Sequence, residues 1–401
     1  MANNNKHTGP NVPALRFPEF SGEWTKIKLG DLGSFFSGGT PSSSRKDFYG
    51  GEIPFIRSGE LHSDSTALSI TKEAYDSCSA KMVNKGDLLL ALYGATSGDI
   101  SISRICGAIN QAILCIRPQY MDAYFIKSLW EKHKKHILET YLQGGQGNLS
   151  SEIIKNISFF FPNSDEQVKI SRLIHIIDDR IETQSKIIEE LKTLRGALNE
   201  SLYCCCESYQ ELSLNDVGVS YSGLSGKSGN DFGSGYPFIP YTNIFTNNII
   251  DEGQLDYVQV REDESQNSVC LGDLLMTLSS ETPEEVGIGA VYLGHESPLY
   301  LNSFAFGIHI TRTDLVYPPY LSWLVSTKSF RKFILPYAQG STRYNLQKTD
   351  FMKAKYRFPT LRRQKAISEL LSGYSSKIEN EERVLNKYTA LKQGLIEQLF
   401  I

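Results

Sequence analysis

The chain has 401 residues, 40% of them hydrophobic, with a formal net charge of −4. This is ordinary globular composition, long enough for two domains, and it excludes a chain disordered throughout. It also argues against a large non-specific nucleic-acid binder, which needs an excess of positive charge, but leaves room for a reader with a few local basic patches.

In chain order, the polar opening MANNNKHTGP has no apolar signal core, and nowhere does an uncharged apolar run of about 18 residues occur. A soluble, cytoplasmic protein with no membrane contact is expected. From Leu29 onward short alternating runs such as Asp87 to Tyr93 read as strands in a segment rich in Gly, Ser, Thr and aromatics. A helical piece follows around Tyr124 to Tyr141, and Phe161-Pro162 closes the domain, because the residue before proline is pushed out of the helical region. His133 and His136 stand among Lys132, Lys134 and Lys135, which reads as a solvated helix face rather than a metal site.

After Pro162 the period changes to threes and fours. Ile170, Leu173, Ile177, Ile181, Ile188, Leu191, Leu194, Leu198 and Leu202 make one apolar stripe on a long helix. Of the seven cysteines, Cys204, Cys205 and Cys206 are consecutive and none shows zinc-knuckle spacing, so free thiols and no metal are expected.

The grammar then repeats. Leu29-Gly30-Asp31-Leu32-Gly33 matches Leu214-Asn215-Asp216-Val217-Gly218 at an offset of 185 (214 minus 29). Ile53-Pro54-Phe55-Ile56 matches Tyr236-Pro237-Phe238-Ile239, and Lys85-Gly86-Asp87-Leu88-Leu89 matches Leu271-Gly272-Asp273-Leu274-Leu275. Asn110 pairs with Asn302, and from Asn148 and Asn345 the offset holds at 197 through Pro162 and Pro359, Gln167 and Gln364, Ile181 and Ile378. An ordered series of matches is a duplication. The second copy has its own strand at Gly287 to Tyr292, a helical piece from Tyr320 to Leu335, and a stripe of Ile367, Leu370, Leu371, Ile378, Leu385, Tyr388, Leu391, Leu395 and Leu399.

The expected class is α+β: two similar, strand-rich mixed recognition domains, 1–163 and 207–361, each followed by a long helix, 164–206 and 362–401. Each greasy stripe needs a partner, and the economical one is the other copy. Two equivalent helices related by a pseudo-twofold axis pair as an antiparallel coiled coil, with the domains at opposite ends of a rod. About 36 helical residues span roughly 54 Å, or roughly 15 base steps of DNA. Such an object is a ruler carrying two readers. Candidate DNA contacts are Arg45, Lys46, Arg57 and Arg104 in the first copy and Lys227, Arg343 and Tyr344 in the second, with polar Ser37, Thr40, Ser58, Thr242 and Asn243. Arginine suits guanine edges and phosphates, and the polar side chains suit either.

These strings, in this order, resemble the specificity subunit of Type I restriction-modification enzymes. The likeness rests on Leu15-Arg16-Phe17-Pro18-Glu19-Phe20-Ser21-Gly22-Glu23-Trp24, Leu29 to Leu32, Ser37-Gly38-Gly39-Thr40-Pro41, Gly51 to Leu61, Lys85 to Leu90, Gly107 to Ala112, Gly147-Asn148-Leu149 and Pro162 before Glu166-Gln167. The second copy departs from it: Ser222-Gly223-Leu224-Ser225 replaces the Gly-Thr-Pro form, Tyr241 to Ile244 stands for Arg57 to Glu60, and Asn302-Ser303-Phe304 stands for Asn110-Gln111-Ala112.

The resemblance implies a non-catalytic, DNA-binding subunit with no cofactor of its own. Each domain reads half of a split, asymmetric double-stranded target. Two methylation subunits using S-adenosylmethionine dock around it, and restriction subunits join to translocate and cleave DNA with ATP and Mg2+. It assigns the spacer to Ile181, Ile188, Leu191 and Leu198 and their copies Ile378, Leu385, Tyr388 and Leu395.

Three strings mimic enzymes without completing a site. Ser225-Gly226-Lys227-Ser228 lacks the first glycine of a phosphate loop, since Tyr221 stands there; Tyr317-Pro318-Pro319-Tyr320 lacks the leading Asn or Asp of an adenine methyltransferase; Asp231 to Gly235 lacks the methyl-donor glycine spacing. A protein scaffold that never reads DNA is the nearest alternative, and a nuclease or glycosidase of repeated domains a more distant one.

Overall fold

The structure is a computed structural model that describes residues 11–142, 148–205 and 208–401. Gly147 and Cys206, named above, lie outside the described residues. The chain divides into two compact units, Met1–Ser185 with Arg383–Ile401, and Lys186–Glu382. Each unit therefore takes one strand-rich domain and part of both long helices, a different division from the domain-then-helix order of the sequence.

The first unit is built on an antiparallel sheet in the order Gly33–Ser37, Ile113–Pro118, Leu88–Ala91, Ile100–Ile102. Leu88 to Ala91 and Ile113 to Ile116 are buried on both faces. Alternation sorts them: Leu88, Leu90, Leu114 and Ile116 pack into the helix-covered core, and Leu89, Ala91, Ile113 and Cys115 into a second cluster on the opposite face. A second sheet runs Ser69–Ile70, Tyr49–Ile56, Gly107–Ile109, Lys81–Val83, and Thr25–Lys28 pairs with Ser158–Phe161.

The second unit repeats this plan. Its main sheet runs Gly218–Ser222, Ala305–Ile310, Leu274–Thr277, Gly289–Val291; the second runs Asp256–Val258, Phe232–Ile239, Tyr300–Leu301; and Tyr209–Ser213 pairs with Lys355–Pro359. Even an irregularity is copied. Tyr49 and Ile53 both face Ile70, and Phe232 and Tyr236 both face Val258. The bulges pass through Gly50 at φ +84° and Gly233 at φ +101°, a region open to glycine and strained for other residues. The second unit adds a small sheet, Ser279–Ser280, Tyr344–Leu346, Ala338–Gln339.

The two long helices are Ser164–Cys204 and Leu361–Leu399, 41 and 39 residues, or about 60 Å each at 1.5 Å per residue. In the first unit Ile170 and Ile174 share a core with Ile396, Leu399 and Phe400. Here Lys392 pairs with Asp178 at 2.8 Å and Glu131 at 3.1 Å, and Lys127 reaches Glu131 at 2.7 Å. In the second unit Ile367 and Leu371 pack with Leu198, Leu202 and Tyr203. Arg195 donates to Ser375 at 2.8 Å; at the offset of 197 these two stand for Lys392 and Asp178. In each unit the start of one long helix meets the end of the other.

Of the eight spacer residues, Ile188 and Ile378 are buried, and Ile181, Leu191, Leu198, Leu385, Tyr388 and Leu395 are half-buried. Leu194, Leu370 and Leu391 point outward, 45%, 46% and 50% exposed. The stripe passes instead through Ile174, Gln184, Asn199 and Ile396, which are buried. A three-or-four spacing leaves a choice at each turn, and here polar Gln184 and Asn199 take places that hydrophobicity alone gives to leucine.

The helical piece of the first copy is one helix, Ala123–Leu142; in the second it breaks into Pro318–Leu324 and Lys328–Ile334. Thr327 makes the break by capping the second part, its hydroxyl accepting from the Phe330 N–H.

Candidate nucleic-acid interface

The motifs that define the repeat are structural. Gln167 is buried and donates to the Pro162 carbonyl at 2.9 Å while accepting from the Asp122 N–H; Gln364 donates to the Pro359 carbonyl at 2.8 Å and accepts from the Tyr317 N–H. Each glutamine ties the start of a long helix to the domain before it. Tyr317 is the N-cap position of Pro318–Leu324, which places Pro318 where a proline's missing N–H costs nothing. Arg16, from the opening string, forms a buried two-pronged pair with Glu166, Nε and Nη2 each 2.7 Å from a carboxylate oxygen.

The matched Gly-Asp turns carry a second shared device. Asp87 accepts from the Asn84 N–H and from Arg117, whose guanidinium lies 4.9 Å from the Phe36 ring centroid. Asp273 accepts from the Cys270 N–H and the Tyr221 hydroxyl and lies 2.9 Å from His309 Nδ1, whose ring stacks on Tyr221. Burial pushes the Asp87 carboxyl up, but the Arg117 hydrogen bonds and charge together with the Asn84 N–H outweigh it and hold the group below the usual range. Cys115, buried beside Asp87, has its thiol pushed up to about 12. Donor atoms of Cys270, Asp273 and His309 lie within 4.8 Å of one another. Since the first copy builds the same clamp from Asn84, Asp87 and Arg117, and the Asp273 carboxylate already has three partners, the trio is the counterpart of an ion pair rather than a metal site.

Among the candidate readers of the first unit, Arg45, Lys46 and Arg57 are exposed on loops and 3-10 turns that flank the Tyr49–Ile56 strand. Arg45 pairs with Asp47 and Glu73 and lies over Phe48. Arg57 pairs with Glu60. Burial raises the Glu60 carboxyl, yet hydrogen bonds from Arg57 and the Ala67 N–H bring it below its ordinary value. Ser58 is half-buried beside them; Thr40 is exposed and donates to Gln111; Ser37 is half-buried at the end of its strand, opposite Leu114. Arg104 lies elsewhere, paired with Glu182 of the first long helix at 2.9 Å.

In the second unit Thr242 and Arg343 line one cleft of about 710 Å³, with Tyr241, Phe245, Glu281 and Phe304. Tyr344, half-buried, follows in the strand that pairs with Ser280. Two expectations need correction. Asn243 is fully buried; its amide donates to the carbonyls of Asp251 and Gln254 and its oxygen accepts from the Asp251 N–H, so it builds a turn and is closed to DNA. The Lys227 side chain is 5% exposed and bound to Glu264, which it holds below the usual carboxylate range. A buried, neutralised lysine is not a free phosphate contact.

Sequence reasoning missed Phe304, Glu281 and Phe245. The signal was present for Phe304, which replaces Ala112 at a matched position.

Two copies of one domain, matching in strand order and bulge but differing in their loops, define a duplicated mixed α+β fold. The family model for the Type I restriction modification DNA specificity domain matches residues 21–193. The specificity subunit of the Type I restriction enzyme MjaIX of Methanocaldococcus jannaschii is 27% identical over 48% of this chain and 47% of its own length. The EcoR124I/EcoR124II specificity subunit of Escherichia coli is 25% identical over 49% of each. The chain thus spans about half the length of the curated relatives it matches. The solved Type I restriction-modification S subunit from M. genitalium aligns over 97% of this chain and 99% of its own, with TM-score 0.57 and 15% identity. A second structure, from work on complex assembly and conformational transition of the type I R-M system, aligns over 94% and 97%, with TM-score 0.57 and 12% identity. Residues 21–193 are thus similar to the Type I restriction modification DNA specificity domain, and over nearly its whole length the chain shares the fold of the solved S subunit from M. genitalium. Among the described residues no helix is long and apolar enough to cross a membrane.

Proposed function

We propose that this chain is the non-catalytic, sequence-specific DNA-binding subunit of a cytoplasmic Type I restriction-modification complex. Domains 1–163 and 207–361 each read one half of a split, asymmetric duplex target, and the helical segments 164–206 and 362–401 pair as the antiparallel spacer between the half-sites. Ile181, Ile188, Leu191, Leu198, Ile378, Leu385, Tyr388 and Leu395 form the spacer seam. Two methylation subunits dock on the chain and supply S-adenosylmethionine chemistry; restriction and translocation subunits supply ATP and Mg2+ chemistry. The chain itself holds no cofactor in this reading.

One observation carries the proposal: the two domains keep the same sheets, bulge and Gly-Asp turn but differ in the side chains on their loops. Equal frames with unequal loops suit an asymmetric target, because sequence is read by side chains at base edges while the frame fixes orientation. Candidate contacts are then Ser37, Thr40, Arg45, Lys46, Arg57, Ser58 and Arg104 in the first half, and Thr242, Arg343 and Tyr344 in the second.

A scaffold without readout is favoured by one fact, that Arg45, Arg57, Arg104 and Lys227 already have acidic partners. Selection of duplexes from a random pool, by the chain assembled with its methylation subunits, separates the readings. The expected outcome is enrichment of two short blocks at a fixed separation. Equal retention of every duplex rejects sequence readout and leaves the scaffold.

A further inference from the structure

The cleft of the second unit holds chemistry that the first unit lacks. Phe304 is 52% exposed, a large aromatic left open at the rim. The Arg343 guanidinium lies over it, 5.4 Å from the ring centroid. Opposite, Tyr241 stacks on Phe245 and donates its hydroxyl to the Ser279 carbonyl, which fixes that wall.

Two carboxylates face the same space. Glu285 accepts from Ser280 at 2.8 Å. Glu281 is exposed and has no ion-pair partner among the described residues. At the offset of 186 that matches the Gly-Asp turns, Glu281 stands for Ala95; Phe304 stands for Ala112, which is buried. Both features are therefore present on one side of the duplication only.

A free carboxylate on a DNA-facing surface repels phosphates. It is useful there when it accepts from an exocyclic amino group, N4 of cytosine or N6 of adenine. Arg343 offsets the local charge, and its cation–π contact with Phe304 holds the guanidinium at the rim, within reach of a guanine edge or a phosphate.

Resting on the function proposed above, we infer that Glu281 is a specificity-determining residue: it selects a base with an exocyclic amino group in the half-site of the second domain. The Arg343–Phe304 platform bears on the neighbouring nucleotide. The first domain, with Ala95 and Ala112 at these places, has no such preference at the matching position.

The test is duplex selection with the full chain in its complex with the methylation subunits, comparing the native chain with Glu281→Ala and Phe304→Ala. Glu281→Ala should relax discrimination about tenfold at one position of one half-site, a position where the native complex takes cytosine or adenine on one strand. Phe304→Ala should weaken preference at an adjacent position. The other half-site serves as the folding control and should be unchanged. If Glu281→Ala retains every preference within about twofold while still selecting the native site, the assignment of Glu281 is wrong and two-domain readout survives. If the native complex shows no sequence preference at all, the underlying reading falls and this assignment with it.

Discussion

The turn at Asp87 and the turn at Asp273 share a backbone but differ in what they clamp. In the first, arginine pairs with the aspartate over phenylalanine; in the second, histidine does so over tyrosine. The same holds along the helices, where the first unit has a four-member charge cluster of Lys127, Glu131, Asp178 and Lys392, and the second has an Arg195 to Ser375 hydrogen bond at the positions matching Lys392 and Asp178. Duplication kept the geometry and let the chemistry drift. The frame needs a cation or donor at a place, not a particular residue, whereas the loops are free to become different readers.

The comparison can be broken most severely at a feature the second unit does not have. Arg16→Ala strands the buried Glu166 carboxylate and should cost the first unit about 3–5 kcal/mol. Hydrogen exchange should show amides of the first sheet losing protection while those around Leu274 keep theirs; equal loss in both units would show that they do not open separately. Next, Arg117→Ala removes a charged partner of a part-buried aspartate and should cost about 2 kcal/mol, measured by denaturant unfolding. His309→Ala should cost less, because Tyr221 and the Cys270 N–H still hold Asp273.

The Asp87 clamp also has a pH window. A carboxyl held below its unfolded value contributes stability that is complete above about pH 4 and is lost as pH falls through the depressed folded value. Asp87→Asn should flatten the acid limb of the first unit's stability curve; an unchanged limb would remove Asp87 from the account. The smallest effect concerns the helices. Lys392→Met leaves Asp178 with Lys127 and Tyr124 as partners and should cost about 1–2 kcal/mol, while Arg195→Met, losing one hydrogen bond to a hydroxyl, should cost about 1 kcal/mol or less. Paired thermal melts would check the order.

Much of the frame was legible in the sequence. The offset series located both copies, Gly50-Gly51 and the glycines of 233–235 coincide with the bulges, and the prolines at 162 and 359 mark where helices begin. Loop chemistry was less legible, because a side chain's partner is set by elements far away in sequence. Asn243 looked like a polar loop residue, but a turn at 251–254 folds back to enclose it. Lys227 looked free until Glu264 approached it. Leu194, Leu370 and Leu391 fitted the helical period, yet the buried face turned to include Gln184 and Asn199. Phe304 was visible as a difference between the copies, and a difference on a conserved backbone is where a diverged reader should be sought.

The central claim, that two diverged copies read two different half-sites at a fixed separation, is tested most directly by mapping methylated adenines in DNA from cells carrying this chain with its methylation subunit. The account predicts two unlike blocks of sequence flanking an unread spacer of constant length. A single uninterrupted block, or modified adenines with no common sequence around them, would contradict it.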